Sequence, residues 1–123
     1  MVQDIMISIT TKISPGMKIS TPSGRAEFEI YHIDALRVII LVGKKRSPIK
    51  IPAQCFEDIP QFLTGKGWVR IGAIHETIQE HTLDTFVKQY TRRSTASYIA
   101  PILEKAKIIE IDRNIPAKVR LVI

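Results

Sequence analysis

Two arginines and two hydroxyl residues stand together at positions 92–95, directly before a segment with an apolar stripe. Arg92, Arg93, Ser94 and Thr95 can all donate hydrogen bonds to phosphate oxygens, and arginine can also grip a guanine edge with two hydrogen bonds. If a helix begins here, its free amide groups and its dipole also favour a phosphate. These residue types at this spacing predict a site for a polyanion.

A helix from Thr95 to Lys107 is predicted to position this cluster. Its inner apolar stripe is formed by Ile99, Ile102, Leu103 and Ala106. Its outer face is expected to carry Thr95, Ser97, Tyr98 and Lys105. Such a helix can dock on neighbouring helices and place its polar face in the major groove of B-DNA.

The flanking segments complete a compact unit. "TLDTFVKQY" predicts a preceding helix with Thr82 as its N-cap. "PAQCFEDIPQFL" predicts an earlier helix that Pro60 should kink or split, and "WVRIGA" predicts a short strand. "IIEI" and "KVRLVI" predict a closing β-hairpin whose tip presents Arg113 and Lys118, either to DNA or merely as a cover for the core.

From Pro52 onward this order resembles a winged helix-turn-helix domain, and "TLDTFVKQYTRRSTASYIAPILEKAKIIEI" is similar to the family's helix, turn, recognition helix and step into the wing. The resemblance implies a cytoplasmic DNA-binding protein, often dimeric, with residues 95–102 in the groove. Two residues depart from the pattern. Lys107 stands where the family commonly has a glycine, and Pro101 lies inside the recognition helix.

The first half is predicted to be rich in strands. Ile5, Ile7 and Ile9 alternate with Met6, Ser8 and Thr10, which favours a half-buried strand. "AEFEIYHI", "LRVIILV" and "PIKI" predict three more strands. The predicted fold is therefore α+β, with a β-rich subdomain at residues 1–51 and a winged helix at residues 52–123.

A second basic group occurs in "GKKRSPIK", in the connection between two predicted strands. Its members are Lys44, Lys45, Arg46 and Lys50. They are either a secondary contact for a nucleic-acid backbone or a solvated turn. The net charge of +6 and the pI near 9.7 favour a polyanionic partner. Residues 81–123 hold eight basic and four acidic residues, so they supply +4 of that charge.

No enzyme, metal site or cofactor is predicted. "HETIQEH" suggests a zinc protease, but Gln79 stands where a second histidine of the helical motif is needed, and Thr77 defeats the inverted motif. Cys55 sits on an apolar helix face, which is typical of a buried small residue. No acidic cluster supports a nuclease.

Composition sets wider limits. The 123 residues are 45% hydrophobic, which argues for a folded chain. A lone cysteine excludes an internal disulfide and suits a reducing cytoplasm. We expect no signal peptide, and the longest apolar run, Val38–Val42, is too short to cross a membrane. Abundant isoleucine with a single asparagine, Asn114, hints at a thermophilic prokaryote.

The sequence therefore predicts a non-catalytic protein that binds double-stranded DNA, with transcription regulation and homodimerisation as expected properties of the family it resembles. The alternative is a winged-helix module that binds other proteins in a larger assembly. In that case the N-terminal sheet would pair strands with a partner. Each basic group also has a plainer interpretation as a solvated surface.

Overall fold

A computed structural model describes residues 4–72 and 82–123. Within these residues the chain forms four helices and two antiparallel sheets. The helices are α1 (Ile5–Lys12), α2 (Ala53–Leu63), α3 (Leu83–Thr91) and α4 (Ala96–Lys105). The strands are β1 (Lys18–Ser20), β2 (Glu27–Ile33), β3 (Arg37–Val42), β4 (Ser47–Pro52), β5 (Val69–Arg70), β6 (Ile109–Asp112) and β7 (Lys118–Leu121). The predicted mixture of helices and strands is confirmed.

The larger sheet is an antiparallel meander in the order β1-β2-β3-β4. Its side chains alternate between faces, so Phe28 and Ile30 are buried while Glu27 lies in solvent. Because successive strands reverse direction, the β1–β2 turn and the β3–β4 turn lie at one end of this sheet. The β2–β3 turn lies at the other end.

The smaller sheet has the order β5-β7-β6, with β6 and β7 joined by a hairpin loop at residues 113–117. Val119 of β7 is fully buried and pairs with Val69 on one side and Ile111 on the other. From α2 onward the order of elements is helix, strand, helix, helix, strand, strand, as the sequence predicts.

One hydrophobic cluster extends from Ile5 in α1 to Val119 in β7 and includes both sheets. Helix α4 lies at its centre, in contact with α1, α3, β1 and β6. Its residues Ile99, Ile102 and Leu103 are completely buried. The division into residues 1–51 and 52–123 stays a prediction.

The predicted first strand is wrong, because residues 5–12 form helix α1. Asp4 caps this helix, and its Oδ1 accepts a hydrogen bond of 3.1 Å from the Ile7 amide. Ile5 and Ile9 are four residues apart and both buried, whereas Ile7 is 63% exposed. A five-residue alternation fits period 2 and a helical face equally well, and the cap decides between them.

One proline expectation is corrected. Helix α2 is not split at Pro60, because Pro60 lies in its last turn and few hydrogen bonds depend on it. The Thr64 hydroxyl and amide both donate to the Pro60 carbonyl and close that turn. Pro101 likewise lies inside α4 without ending it.

The end of α4 explains the absence of the expected glycine. Lys107 itself adopts the left-handed conformation, with φ of 63°, that glycine usually supplies after a helix. The Ile108 amide donates back to the Leu103 carbonyl at 3.0 Å, and the Lys107 amide donates to Glu104. This pairing satisfies the last carbonyls of α4 and directs the chain into β6.

Candidate nucleic-acid interface

The two arginines predicted to bind a polyanion occupy the tight connection between α3 and α4, residues 92–95, which we name the arginine turn. Arg92 ends α3 in the left-handed conformation, with φ of 62°, and its amide donates to the Lys88 carbonyl. Arg92 and Arg93 are exposed. Within residues 4–72 and 82–123, no carboxylate pairs with either guanidinium group. Both remain free to bind an anion.

The two hydroxyl residues of the arginine turn have internal roles instead. Ser94 Oγ donates to Asp84 Oδ2 at 3.2 Å. Thr95 is completely buried, with its Oγ1 at 2.9 Å from Thr91 Oγ1. These hydroxyls hold the turn against α3. The sequence predicts that Thr95 faces DNA, but the buried side chain is not accessible to it.

Helix α4 does not present the polar outer face that the sequence predicts. Tyr98 is half-buried and packs edge-to-face on Phe28 of β2, with ring centroids 5.3 Å apart. On the same helix, Ala96 and Ala100 are buried as well. A helix that is apolar on nearly every side belongs in a core. Among the predicted contacts on α4, Ser97 is partly exposed and Lys105 is exposed.

The cations of the β6–β7 hairpin are largely engaged within the protein. Arg113 donates from both terminal nitrogens to the Glu104 carboxylate, at 2.6 and 2.8 Å. These hydrogen bonds raise the pKa of Arg113 above its usual range. Lys118 Nζ donates to the Pro116 carbonyl at 3.2 Å. Arg113 and Lys118 therefore brace the hairpin rather than extend from it.

Three hairpin loops, residues 21–26, 43–46 and 113–117, are together named the hairpin end. The first two are the β1–β2 and β3–β4 turns, about 10 Å apart because two strand spacings separate them. The third and the first border one cavity, whose lining residues are Pro22, Ser23, Ile71, Gly72, Ile115, Pro116 and Ala117.

Every charged residue in these three loops is basic. They are Arg25, Lys44, Lys45, Arg46 and Arg113. Arg46 pairs with Glu29 of β2 at 2.8 Å, and Arg113 pairs with Glu104. Arg25, Lys44 and Lys45 are exposed and have no carboxylate partner in the part of the chain that the structure describes. The hairpin end thus offers three unpaired cations to solvent.

The predicted secondary patch is divided by the fold. Lys44 and Lys45 lie in the β3–β4 turn, which the Arg46 amide closes onto the Gly43 carbonyl at 3.1 Å. Lys50 lies outside the turn, on the strand position opposite Ile39.

Hydrogen bonds connect the arginine turn to the hairpin end. Ser94 contacts the Asp84 side chain, and the Asp84 amide donates to the Ile71 carbonyl at 2.8 Å. The Ile71 amide in turn donates to the Ala117 carbonyl at 3.0 Å. Three successive hydrogen bonds therefore tie the backbone that carries Arg93 to the β6–β7 loop.

The opposite end of the larger sheet carries several carboxylates, beside the exposed Arg37 that begins β3. A surface cavity there is lined by the β2–β3 turn, by the start of α1 and by the N-terminal half of α2. We name this region the acidic end and define it by Asp4, Asp34, Glu57 and Asp58.

Most of the acidic-end carboxylates are used in local structure. Asp34 Oδ1 accepts the amides of Leu36 and Arg37, at 2.7 and 3.0 Å, and Oδ2 lies 2.7 Å from His32 Nε2. The contact with His32 is the main cause that lowers the pKa of Asp34 to about 2. Asp58 Oδ2 accepts the Tyr90 hydroxyl at 2.6 Å, and this hydrogen bond is the main cause that raises the pKa of Tyr90 to about 12.

The candidates for catalysis remain isolated. Cys55 is completely buried, as predicted, and burial raises the pKa of its thiol to about 12. His75, Glu76, Glu80 and His81 lie outside the described residues. In residues 4–72 and 82–123, no three His, Cys, Asp or Glu side chains meet in a way that could hold a metal ion.

Sequence reasoning missed Arg25, which stands alone in "TPSGRA". One signal could have identified it. Four short strands joined by short turns form a meander, and a meander places its first and third turns at the same end of the sheet. That rule places Arg25 at the same end of the sheet as Lys44 and Lys45.

None of the helices in the described residues is long and apolar enough to span a membrane. Neither models of protein families, nor curated proteins, nor solved structures gave a match to this chain.

Proposed function

We propose that this protein binds double-stranded DNA without chemistry, through phosphate contacts made by the hairpin end and the arginine turn. The observation that carries the proposal is the hairpin end itself, where three loops hold five basic residues, and Arg25, Lys44 and Lys45 have no carboxylate partner in the described residues. Clustered Lys and Arg on one surface release counterions from DNA when they neutralise its phosphates, and this release drives binding.

The buried state of α4 decides which kind of contact is proposed. Insertion of α4 into the major groove would require α1 and β1 to leave it, which would expose Ile99, Ile102 and Leu103 to water. Contacts to the backbone need no such opening, because Arg25, Lys44 and Arg93 are exposed already. The proposed binding is therefore salt-dependent and only weakly selective for sequence.

For the C-terminal part we propose a winged-helix arrangement, with α3 and α4 as the helix-turn-helix and β6–β7 as the wing. The sheet order β5-β7-β6 and the short α3–α4 turn support it. In this proposal the N-terminal sheet covers the recognition helix. A cytoplasmic location, expected from the lone cysteine, belongs to the same proposal.

The test removes two unpaired cations from the hairpin end. Lys44→Ala with Lys45→Ala should lower the slope of log K against log salt concentration by about two, since each lost phosphate contact removes about 0.9. Fluorescence anisotropy of a labelled mixed-sequence duplex measures this slope. Lys12→Ala with Lys50→Ala is the matched control, because it removes the same charge from outside the three loops.

The control should keep a slope near that of the unmodified protein. Equal slopes for both double variants would show that net charge alone drives association, and the proposed surface would be rejected.

A second function, binding to another protein, is favoured by one observation. The outer face of the larger sheet carries Tyr31, 59% exposed, together with the partly exposed Ile39 and Leu41. A partner would have to use this face rather than add a strand at the β4 edge. At this edge the backbone nitrogens of Pro48 and Pro52 face outward. They carry no N–H and cannot donate a hydrogen bond to an added strand.

Chromatography on immobilised heparin and on duplex DNA separates the two functions. Retention on both at moderate salt is expected for the proposed DNA-binding protein. Passage through both columns would leave the protein-binding function as the better account.

A further inference from the structure

The most exposed large apolar side chain in the described residues is Ile115, at the apex of the β6–β7 loop. It is 94% accessible to solvent, although isoleucine is among the residues most often buried. It protrudes from the hairpin end, whose charged residues are all basic. An apolar tip within a cationic surface is suited to a ligand that has phosphates outside and apolar surfaces between them.

We propose that Ile115 acts as a wedge, which enters the minor groove of the bound duplex and partly unstacks one base step. The inference rests on the proposed function, because it needs the duplex to be held at the hairpin end. Stacked bases provide flat apolar surfaces, and Ile and Pro are among the side chains that proteins insert between them. Pro116, exposed beside Ile115, adds to the apolar tip.

The loop that presents Ile115 is braced on both sides. The Asn114 amide donates to Asp112 Oδ1 at 3.0 Å, and Lys118 Nζ donates to the Pro116 carbonyl. Arg113 is fixed to Glu104 of α4 by two hydrogen bonds. A wedge must resist the cost of unstacking, and a braced loop loses little freedom on insertion. In this proposal the internal hydrogen bonds of Arg113 and Lys118 rigidify the loop that carries Ile115.

Sequence preference follows from this mechanism. Pyrimidine–purine steps, above all TA, unstack and kink most easily. An alternating d(A-T) duplex offers such a step at every second position. It therefore suits a protein that selects its position by deformability rather than by base edges.

The experiment uses the full chain and an alternating d(A-T) duplex in which a few adenines are replaced by 2-aminopurine, whose fluorescence rises when it unstacks. The unmodified protein should raise this fluorescence at saturation. Ile115→Ala should still bind but give less than about half of that rise, whereas Ile115→Leu should retain most of it. Ile7→Ala, which truncates an exposed isoleucine on α1, is the control and should match the unmodified protein.

Anisotropy on the same duplex distinguishes the two levels of inference. Binding with an equal rise for Ile115→Ala and the unmodified protein overturns the wedge and leaves the proposed function standing. Binding of the unmodified protein without any rise in 2-aminopurine fluorescence also overturns the wedge. In either case a pocket on another protein becomes the better partner for Ile115. Absence of binding by the unmodified protein overturns both.

Discussion

The two ends of the larger sheet differ in what their charges do. At the acidic end, Asp4 caps α1, Asp34 holds the β2–β3 turn, and Asp58 accepts the Tyr90 hydroxyl. At the hairpin end, the cations of Lys44 and Lys45 have no carboxylate partner within the described residues. These three carboxylates form hydrogen bonds that stabilise the fold, whereas Lys44 and Lys45 form no ion pair within the described residues.

Charge density alone does not indicate a binding surface. A carboxylate that accepts backbone amides replaces hydrogen bonds that the turn would otherwise lack, so its presence is explained by local structure. An unpaired surface cation forms no such hydrogen bond within the fold. The two ends should therefore respond in opposite ways to neutralisation, with losses of stability at one and losses of affinity at the other.

The largest expected effect combines the hairpin end with the arginine turn. Replacing Lys44, Lys45, Arg92 and Arg93 with alanine should lower the salt slope by between three and four, against about two for either pair alone. This sum is expected because the proposed function places all four side chains of the unmodified protein on the same duplex. Each substitution should change the free energy of unfolding by no more than about 0.5 kcal/mol, because each side chain is exposed. Anisotropy titrations at four salt concentrations and urea unfolding provide the two measurements.

Arg113→Ala is the informative control for that series, because Arg113 is already paired with Glu104. Its slope should change by less than one phosphate contact. A quadruple variant no weaker in salt dependence than the lysine pair would show that the arginine turn faces away from the duplex. The hairpin end would then act alone.

Much of the fold could be predicted from local patterns. The apolar run that forms β3 and the helical spacing in α2 each specify one element, and Thr82 caps α3 as predicted, with its Oγ1 3.2 Å from the Thr85 amide. Ile5, Ile7 and Ile9 fit the period of a strand as well as that of a helix, and only the N-cap at Asp4 distinguishes helix α1 from the strand that the alternation predicts. Local patterns specify elements well where only one period fits.

The candidate site was predicted less well, for a different reason. The arginines were identified correctly as exposed cations. The contact of Thr95 with Thr91 crosses the short α3–α4 turn, whereas the contact of Tyr98 is with Phe28 of β2, which is remote in sequence. Ala96 and Ala100 carried a usable hint, since small apolar residues on a supposed outer face allow close packing. The approach of Arg25 to the lysines depends on the order of strands, which no short window contains.

A smaller effect is expected at the acidic end from Asp58→Asn. The variant weakens a hydrogen bond of 2.6 Å between the Tyr90 hydroxyl and a carboxylate, and it should cost about 1 kcal/mol of unfolding free energy. The salt slope of DNA binding should stay unchanged, since Asp58 lies far from the three loops. Urea unfolding of Asp58→Asn, Tyr90→Phe and the double variant isolates the pair energy.

The pKa of Tyr90 provides a second readout for the same pair. The hydrogen bond to Asp58 raises this pKa from 10.0 to about 12, so its stabilising contribution is complete below pH 10 and is lost as pH rises towards 12. In Asp58→Asn, absorbance at 295 nm should show Tyr90 ionising at a lower pH. An unchanged titration would mean that the Asp58 carboxylate does not accept the Tyr90 hydroxyl. Asp58 would then have no demonstrated role in stabilising the fold.

The smallest expected effect concerns Asp34, whose pKa is lowered from 3.8 to about 2, mainly by His32. A lowered pKa contributes stability above the unfolded value, and that contribution disappears as pH falls from about 4 towards 2. In Asp34→Asn the side-chain oxygen can still accept the Leu36 and Arg37 amides, so only the interaction of the charge is removed. The melting temperature of the unmodified protein should exceed that of the variant at pH 5, and the two should converge as pH falls below 2. A difference that persists well below pH 2 would show that Asp34 acts through its shape, because a protonated carboxyl group can no longer attract the histidine.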